Sequence, residues 1–123
     1  MEEIKVGELL GFKKKGSKQI FLNLCPHSVE ILTVEGIFSI PQSGTVARVE
    51  KRYCEEKVHS GIPIESPKFG KVHGLPDAKE NVMYIVSGIV LNALGDNRKR
   101  DVCAIGSRIT QGNIKVATSF RIL

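Results

Sequence analysis

The chain has 123 residues, 18 Lys plus Arg against 13 Asp plus Glu, and a formal net charge of +5. That length implies one domain, and 41% hydrophobic with 25% charged residues is ordinary globular usage, which disfavours disorder and fibrous repeats. No apolar run approaches the roughly 20 residues a spanning helix needs, and the acidic start Met1-Glu2-Glu3 lacks the basic flank and apolar centre of a signal peptide, so a soluble intracellular protein is expected.

Most segments are short, rich in Val and Ile, and punctuated by Gly or Pro, the pattern of a small β protein. Lys13-Lys14-Lys15, followed by Gly16-Ser17, reads as a solvated hairpin turn. Gln19 to Leu24 alternates as a strand, with Ile20, Leu22 and Leu24 on one face and Phe21 on the other, until Cys25-Pro26-His27-Ser28 interrupts it. Val29 to Val34 and Ile37 to Ile40 are two further strands joined at Glu35-Gly36. Pro41-Gln42-Ser43-Gly44 is a turn, and Thr45 to Arg52 continues as a strand. Tyr53 to Ser60 suits a strand or an exposed turn. Ile62 to Glu65 and Phe69 to Leu75 are expected to pair, with Pro63 and Pro67 setting edges or bends, and 75–81 is a polar loop. Val82 to Val86 reads as a buried strand, and Ser87 caps a helix from Gly88 to Leu94 that ends at Gly95. Val102 to Gly106 and Ile114 to Ile122 are the last strands, with Gln111-Gly112-Asn113 turning between them. The expected fold is therefore α+β over residues 1–123, mainly antiparallel sheet with one principal short helix. That helix is apolar on nearly every face, more than one small sheet can cover, which points to a dimer-based assembly.

The charge is unevenly placed. Residues 1–96 balance twelve basic against twelve acidic side chains, while residues 97–123 hold Arg98, Lys99, Arg100, Arg108, Lys115 and Arg121 against Asp101 alone. Such a distribution suits a local anion site better than a surface that coats long nucleic acid. Catalytic patterns are weak. Cys25 and His27 share a face only if the strand continues through Pro26, no oxyanion-type glycine loop accompanies them, and His27, His59 and His73 lack ligand spacing. Cys25, Cys54 and Cys103 form no C-x-x-C pair and read as reduced, half-buried thiols; Glu55-Glu56 reads as solvated charge. No enzyme, metal or cofactor is expected.

Phosphate binding is better supported, although neither a P-loop nor a G-x-G-x-x-G run occurs. Ser87 stands at a strand-to-helix junction and Arg98-Lys99-Arg100 follows the helix, so amide donors and guanidinium forks could share an anion. Ser87 as a cap alone, and Arg100 as a partner of Asp101, are the plainer readings. Asn92 is the one strongly polar side chain of Ile89–Leu94, and its amide suits an adenine edge or a ribose hydroxyl as well as a neighbouring backbone group. Arg108, Lys115 and Arg121 decorate the C-terminal strands, the last two on one face of a regular strand; Tyr84, Phe120 and Phe69 are the nearby aromatics, each more often core than stacking platform.

Three segments, Leu22-Asn23-Leu24-Cys25-Pro26-His27-Ser28-Val29, Pro41-Gln42-Ser43-Gly44-Thr45-Val46-Ala47-Arg48-Val49 and Tyr84-Ile85-Val86-Ser87-Gly88-Ile89-Val90, occur in that order with Gly74-Leu75-Pro76 and Arg100-Asp101-Val102. In these words the chain resembles a group of small phage and prophage proteins associated with the Thoeris anti-defence sponges. Cys25 stands where that pattern has Thr, and Gly88 where it has Ala. The resemblance implies a non-enzymatic viral protein of the host cytoplasm that binds cyclic ADP-ribose isomers, with cyclic oligonucleotides as a further ligand class. It also implies a homodimer or larger homo-oligomer with ligand at a subunit interface, and sequestration that blocks TIR-dependent effector activation. Chemistry such a ligand demands is offered by Arg98, Arg100 and Arg108 as cationic forks, Asn92 as an amide reader, Ser87 as a donor and Tyr84 as an apolar floor. The alternatives are a phage structural or protein-interaction module and, third, a basic nucleic-acid binder.

Overall fold

The computed structural model describes the backbone of residues 2–98 and 100–123 and the side chains of these except 51–57, 65–69 and 96. Lys99 and the side chains of Cys54, Glu55, Glu56 and Phe69 thus lie outside the described residues. Among the described residues twelve strands and one α-helix follow in the order β1 Glu2–Val6, β2 Leu9–Lys13, β3 Ile20–Asn23, β4 Val29–Thr33, β5 Gly36–Ile40, β6 Arg48–His59, β7 Ile62–His73, β8 Val82–Ile85, α1 Gly88–Leu94, β9 Val102–Ile105, β10 Arg108–Gln111, β11 Ile114–Ala117 and β12 Phe120–Arg121.

A six-stranded sheet in the order β1-β2-β3-β8-β9-β12 is the backbone of the molecule. Its outer pairs are antiparallel, but the centre is parallel: Leu22 pairs with Tyr84, and Ile85 with Cys103. The reason lies in β8-α1-β9. Two parallel neighbours need a crossover, and α1 with a 3-10 turn at Gly95–Arg98 supplies it. Ser87 caps α1, its hydroxyl accepting from Val90 N–H, and Gly95, at φ 56, ends it.

Alternation along the central strands builds a core on each face. Leu22, Leu24, Tyr84, Val86, Val102 and Ala104 pack with Val90 and Leu91 of α1 on one side. Cys25, Ile85 and Cys103 pack on the other with Val29, Ile31 and Ile40 of a second sheet, ordered β10-β11-β4-β5. Phe21 joins this second core and Ile20 the first, as the period of two requires.

The sequence misplaces two boundaries. Ile62–Glu65 and Phe69–Leu75 do not pair with each other; residues 62–73 form one strand, β7, whose partner is β6, because Ser60 (φ 50) and Gly61 (φ 79) close a tight hairpin. Both prolines sit in this two-stranded ribbon, where neither strand is central. Ile114–Ile122 breaks after Ala117, since β11 belongs to the second sheet and β12 to the first. β1, β2 and β10 are strands that turn chemistry alone did not reveal. Gly74, at φ 81, lets the end of the ribbon turn against the 46–47 backbone, where a Cβ would collide with the Val46 carbonyl oxygen.

Candidate functional site

The three parallel strands end at one edge, and their continuations diverge. The chain leaving β3 crosses to the second sheet, the chain leaving β8 enters α1 on the opposite face, and the chain leaving β9 returns toward the second sheet. Exits to opposite faces open a crevice outside the carboxyl ends of parallel strands, the usual ligand position in such sheets. A hollow of about 170 Å3 lies there, lined from β3's exit by Cys25 and His27, from β8's by Val86, Ser87 and Gly88, and from β9's by Ile105 and Arg108. An adjoining hollow of about 210 Å3 shares His27, Ile105 and Arg108 and extends past Glu30 to Lys115. Each alone is smaller than the roughly 300–1,000 Å3 of ordinary small-molecule sites, and three shared lining residues set them side by side. A third, of about 220 Å3, opens on the other side of Ser87 between Pro26, Val46, Arg48 and Ile89.

The wall from β3 is held by Asn23. Its side chain is fully buried; the amide donates to the carbonyls of His27 (2.9 Å) and Ile40 (2.9 Å), and Oδ1 accepts from Cys25 N–H at 2.9 Å. Residues 42–47 lie alongside: Gln42 Nε2 donates to the Pro26 carbonyl, Ser43 N–H to the Asn23 carbonyl and Ala47 N–H to the Leu24 carbonyl. The segments Leu22–Val29, Pro41–Val49 and Tyr84–Val90 thus converge on one edge of the sheet from three distant parts of the chain.

The edge is cationic. Arg48, Arg108 and Lys115 line the hollows, and a Cβ on Gly88 would lie 3.2 Å from Nη2 of Arg121, which places that guanidinium beside the helix start. Among the described lining residues Glu30 is the single carboxylate, and its Oε2 is buried with no hydrogen-bond partner. The Cys25 thiol is pushed up to about 11 and that of Cys103 to about 12, both chiefly by burial, so both remain protonated at neutral pH and are poor nucleophiles. They are buried rather than half-exposed, at 3% and 2%. His27 Nδ1 is engaged by the Ser28 carbonyl at 2.9 Å rather than by Cys25.

Of the residues singled out in the sequence, Ser87 and Arg108 come together at this edge. Tyr84 and Arg98 meet elsewhere. Tyr84 is fully buried in β8, its hydroxyl donating to the Asp77 carbonyl at 2.9 Å, and Arg98 stacks 5.7 Å from its ring centroid. Arg98 is tied to Asp101, just before β9, through Nε (3.0 Å to Oδ1) and Nη2, which also donates to the Pro76 carbonyl at 3.0 Å. This network belongs to the amino ends of the parallel strands, away from the hollows. Arg100 and Asn92 are exposed, and neither lines the hollows described above. His27, Gly88 and Arg48 went unmarked as ligand residues because nothing local distinguishes them; the legible signal was that 25–28, 87–88 and 106–108 each follow an apolar run directly.

Among the described residues no helix is long and apolar enough to cross a membrane, and no cluster of three or more His, Cys, Asp or Glu could hold a metal ion. No family model, curated protein or solved structure matches the chain.

Proposed function

We propose that this chain is a viral anti-defence protein that binds and sequesters a cyclic ADP-ribose-type immune messenger, leaving it intact and so blocking TIR-dependent effector activation in the host cytoplasm. The observation that carries the reading is the cationic crevice at the carboxyl ends of β3, β8 and β9, onto which all three longer segments of the sponge-like sequence pattern converge. A pyrophosphate suits the forks of Arg108 and its neighbours, while Ile105, Val86 and the Pro26–Ile89 hollow offer apolar surface to a nucleobase. A thiol held protonated beside this crevice suits retention of the ligand rather than covalent attack on it.

The assembly proposed is a homodimer or larger homo-oligomer. Support comes from Ile89, 58% exposed on α1, and from the β6–β7 ribbon, whose tip exposes Val58 and Ile62 at 69% and 64%. The same ribbon favours the second reading, a phage structural or protein-interaction module, which requires self-assembly or a protein partner and indifference to nucleotides.

Calorimetry or native mass spectrometry with cyclic ADP-ribose isomers, followed by recovery of the ligand after denaturation, separates these. Saturable binding with unchanged ligand is expected. Absence of binding, or a degraded ligand, overturns the sponge reading. Light scattering that finds a stable monomer at micromolar concentration overturns the oligomer.

A further inference from the structure

We propose that Arg121 is a second anion-binding guanidinium of the crevice, acting beside Arg108 on a phosphate or pyrophosphate group, and that Gly88 is the residue that makes room for it. This rests on the crevice assigned above and adds to it a residue from the last strand of the sheet.

Four observations carry the assignment. First, β12 pairs with β9 so that Arg121 stands opposite Ala104, whose side chain faces the α1 core. Antiparallel partners share a face, so Arg121 leaves the sheet on the helix side and Phe120, opposite Ile105, on the other. Second, the guanidinium reaches Gly88: Nη2 would lie 3.2 Å from a Cβ built there, closer than ordinary side-chain contact. Gly88 has no positive φ, so its backbone makes no demand for glycine, and what glycine provides at this position is space.

Third, Arg121 is partly buried yet makes no ion pair or side-chain hydrogen bond with any described residue, and Arg108, which is exposed, likewise makes none. Arg98 shows the contrast, since its guanidinium is consumed by Asp101 and Pro76. A guanidinium withdrawn from water without a counter-charge is costly, and an incoming anion offsets that cost. Fourth, Gly88 and Arg108 line the same hollow, and Arg121, although not itself a lining residue, stands against that lining at Gly88, so the anion proposed there is shared by Arg108 and Arg121. Two forks approaching from different strands fix both the position and the orientation of a phosphate, which one fork does not.

The test is calorimetric titration with inorganic pyrophosphate, run on the wild type, Arg121→Ala, Gly88→Ala, Arg108→Ala and Lys18→Ala. Lys18 is exposed at the amino end of β3, so its removal changes net charge by the same unit far from the crevice. Arg121→Ala and Gly88→Ala are each expected to weaken pyrophosphate binding at least about tenfold, the scale of one charge-assisted hydrogen-bonded contact, while Lys18→Ala stays within about twofold. Alanine is a better helix former than glycine, so Gly88→Ala should keep or raise the melting temperature while losing affinity, a combination that misfolding does not produce. If Arg121→Ala binds as the wild type does while Arg108→Ala does not, the assignment of Arg121 is overturned and the crevice stands. Unchanged affinity in Gly88→Ala overturns the role given to Gly88. A wild type that takes up no pyrophosphate at millimolar concentration overturns the inference altogether, and titration with cyclic ADP-ribose itself then decides the sponge reading separately.

Discussion

Asn23 is the residue on which the crevice wall depends, and its removal has a calculable cost. Three hydrogen bonds of 2.9 Å connect a fully buried side chain to Cys25 N–H and to the carbonyls of His27 and Ile40. Each contributes about 0.5–1.5 kcal/mol net, and truncation strands their partners in a site closed to water, so Asn23→Ala should cost about 3 kcal/mol. For a chain of this size that is a fall in melting temperature of roughly 10 °C, read by circular dichroism. Asn23→Asp supplies a sharper test. It keeps the shape and the acceptor toward Cys25 N–H but turns a carboxylate oxygen toward two carbonyl oxygens. Burial and that repulsion raise the folded-state pKa of the new carboxyl above its unfolded value near 3.9. The stabilisation linked to the protonated carboxyl is therefore fully present below about pH 4 and is lost as pH rises through the raised value. Denaturant midpoints of this variant should fall relative to wild type between about pH 4 and 7. A difference that stays constant over that window, or an Asn23→Ala cost under about 1 kcal/mol, refutes the bonding assigned to Asn23.

Two further outcomes follow from the contrast between occupied and unoccupied groups. Arg98→Ala should cost about 2 kcal/mol, because it leaves Asp101 and the Pro76 carbonyl without their partner at a position 17–21% exposed, whereas Arg108→Ala should leave the melting temperature within about a degree and lower affinity for pyrophosphate about tenfold; equal melting temperatures refute the distinction. The two buried thiols have folded pKa values raised from 9.0 to about 11 and about 12, so their contribution is complete below about pH 9 and is lost as pH climbs toward those values. Stability of the wild type should fall with pH above 9 more steeply than that of Cys103→Ser, by up to about 1.4 kcal/mol per pH unit; parallel profiles in urea would count against the burial of that thiol.

What was legible in the sequence divides along a physical line. The helix from Gly88 to Leu94 is fixed by local chemistry, a hydroxyl cap before it and a glycine at φ 56 after it, and both are printed in the chain. The β4–β5 hairpin is local in the same sense. Pairing between β3 and β8, or the division of residues 114–122 between two sheets, is decided by which faces must be covered, and no window of ten residues contains that information. The candidate site inherits this limit. Ser87 and Arg108 were visible as a polar cap and a basic residue, but Arg98, equally basic, is spent on Asp101, and Asn92 points away from the sheet that Val90 and Leu91 cover.

The chain order around α1 carries topological information of its own. A strand, a Ser-capped helix of two turns and a second apolar strand within 24 residues is a crossover unit, and a crossover makes its two strands parallel. Parallel strands share a carboxyl edge, and side chains that follow those strands directly are brought together whatever their separation in the chain. On that rule Ser87 and Arg108 belong to one edge, while Arg98 and Arg100, which precede β9, belong to the other; His27 joins the first edge only through the β3–β8 pairing. The basic excess of residues 97–123 is therefore split by topology: Arg98 and Arg100 precede Val102 at the amino edge, while Arg108, Lys115 and Arg121, which follow Ile105, bring positive charge to the crevice.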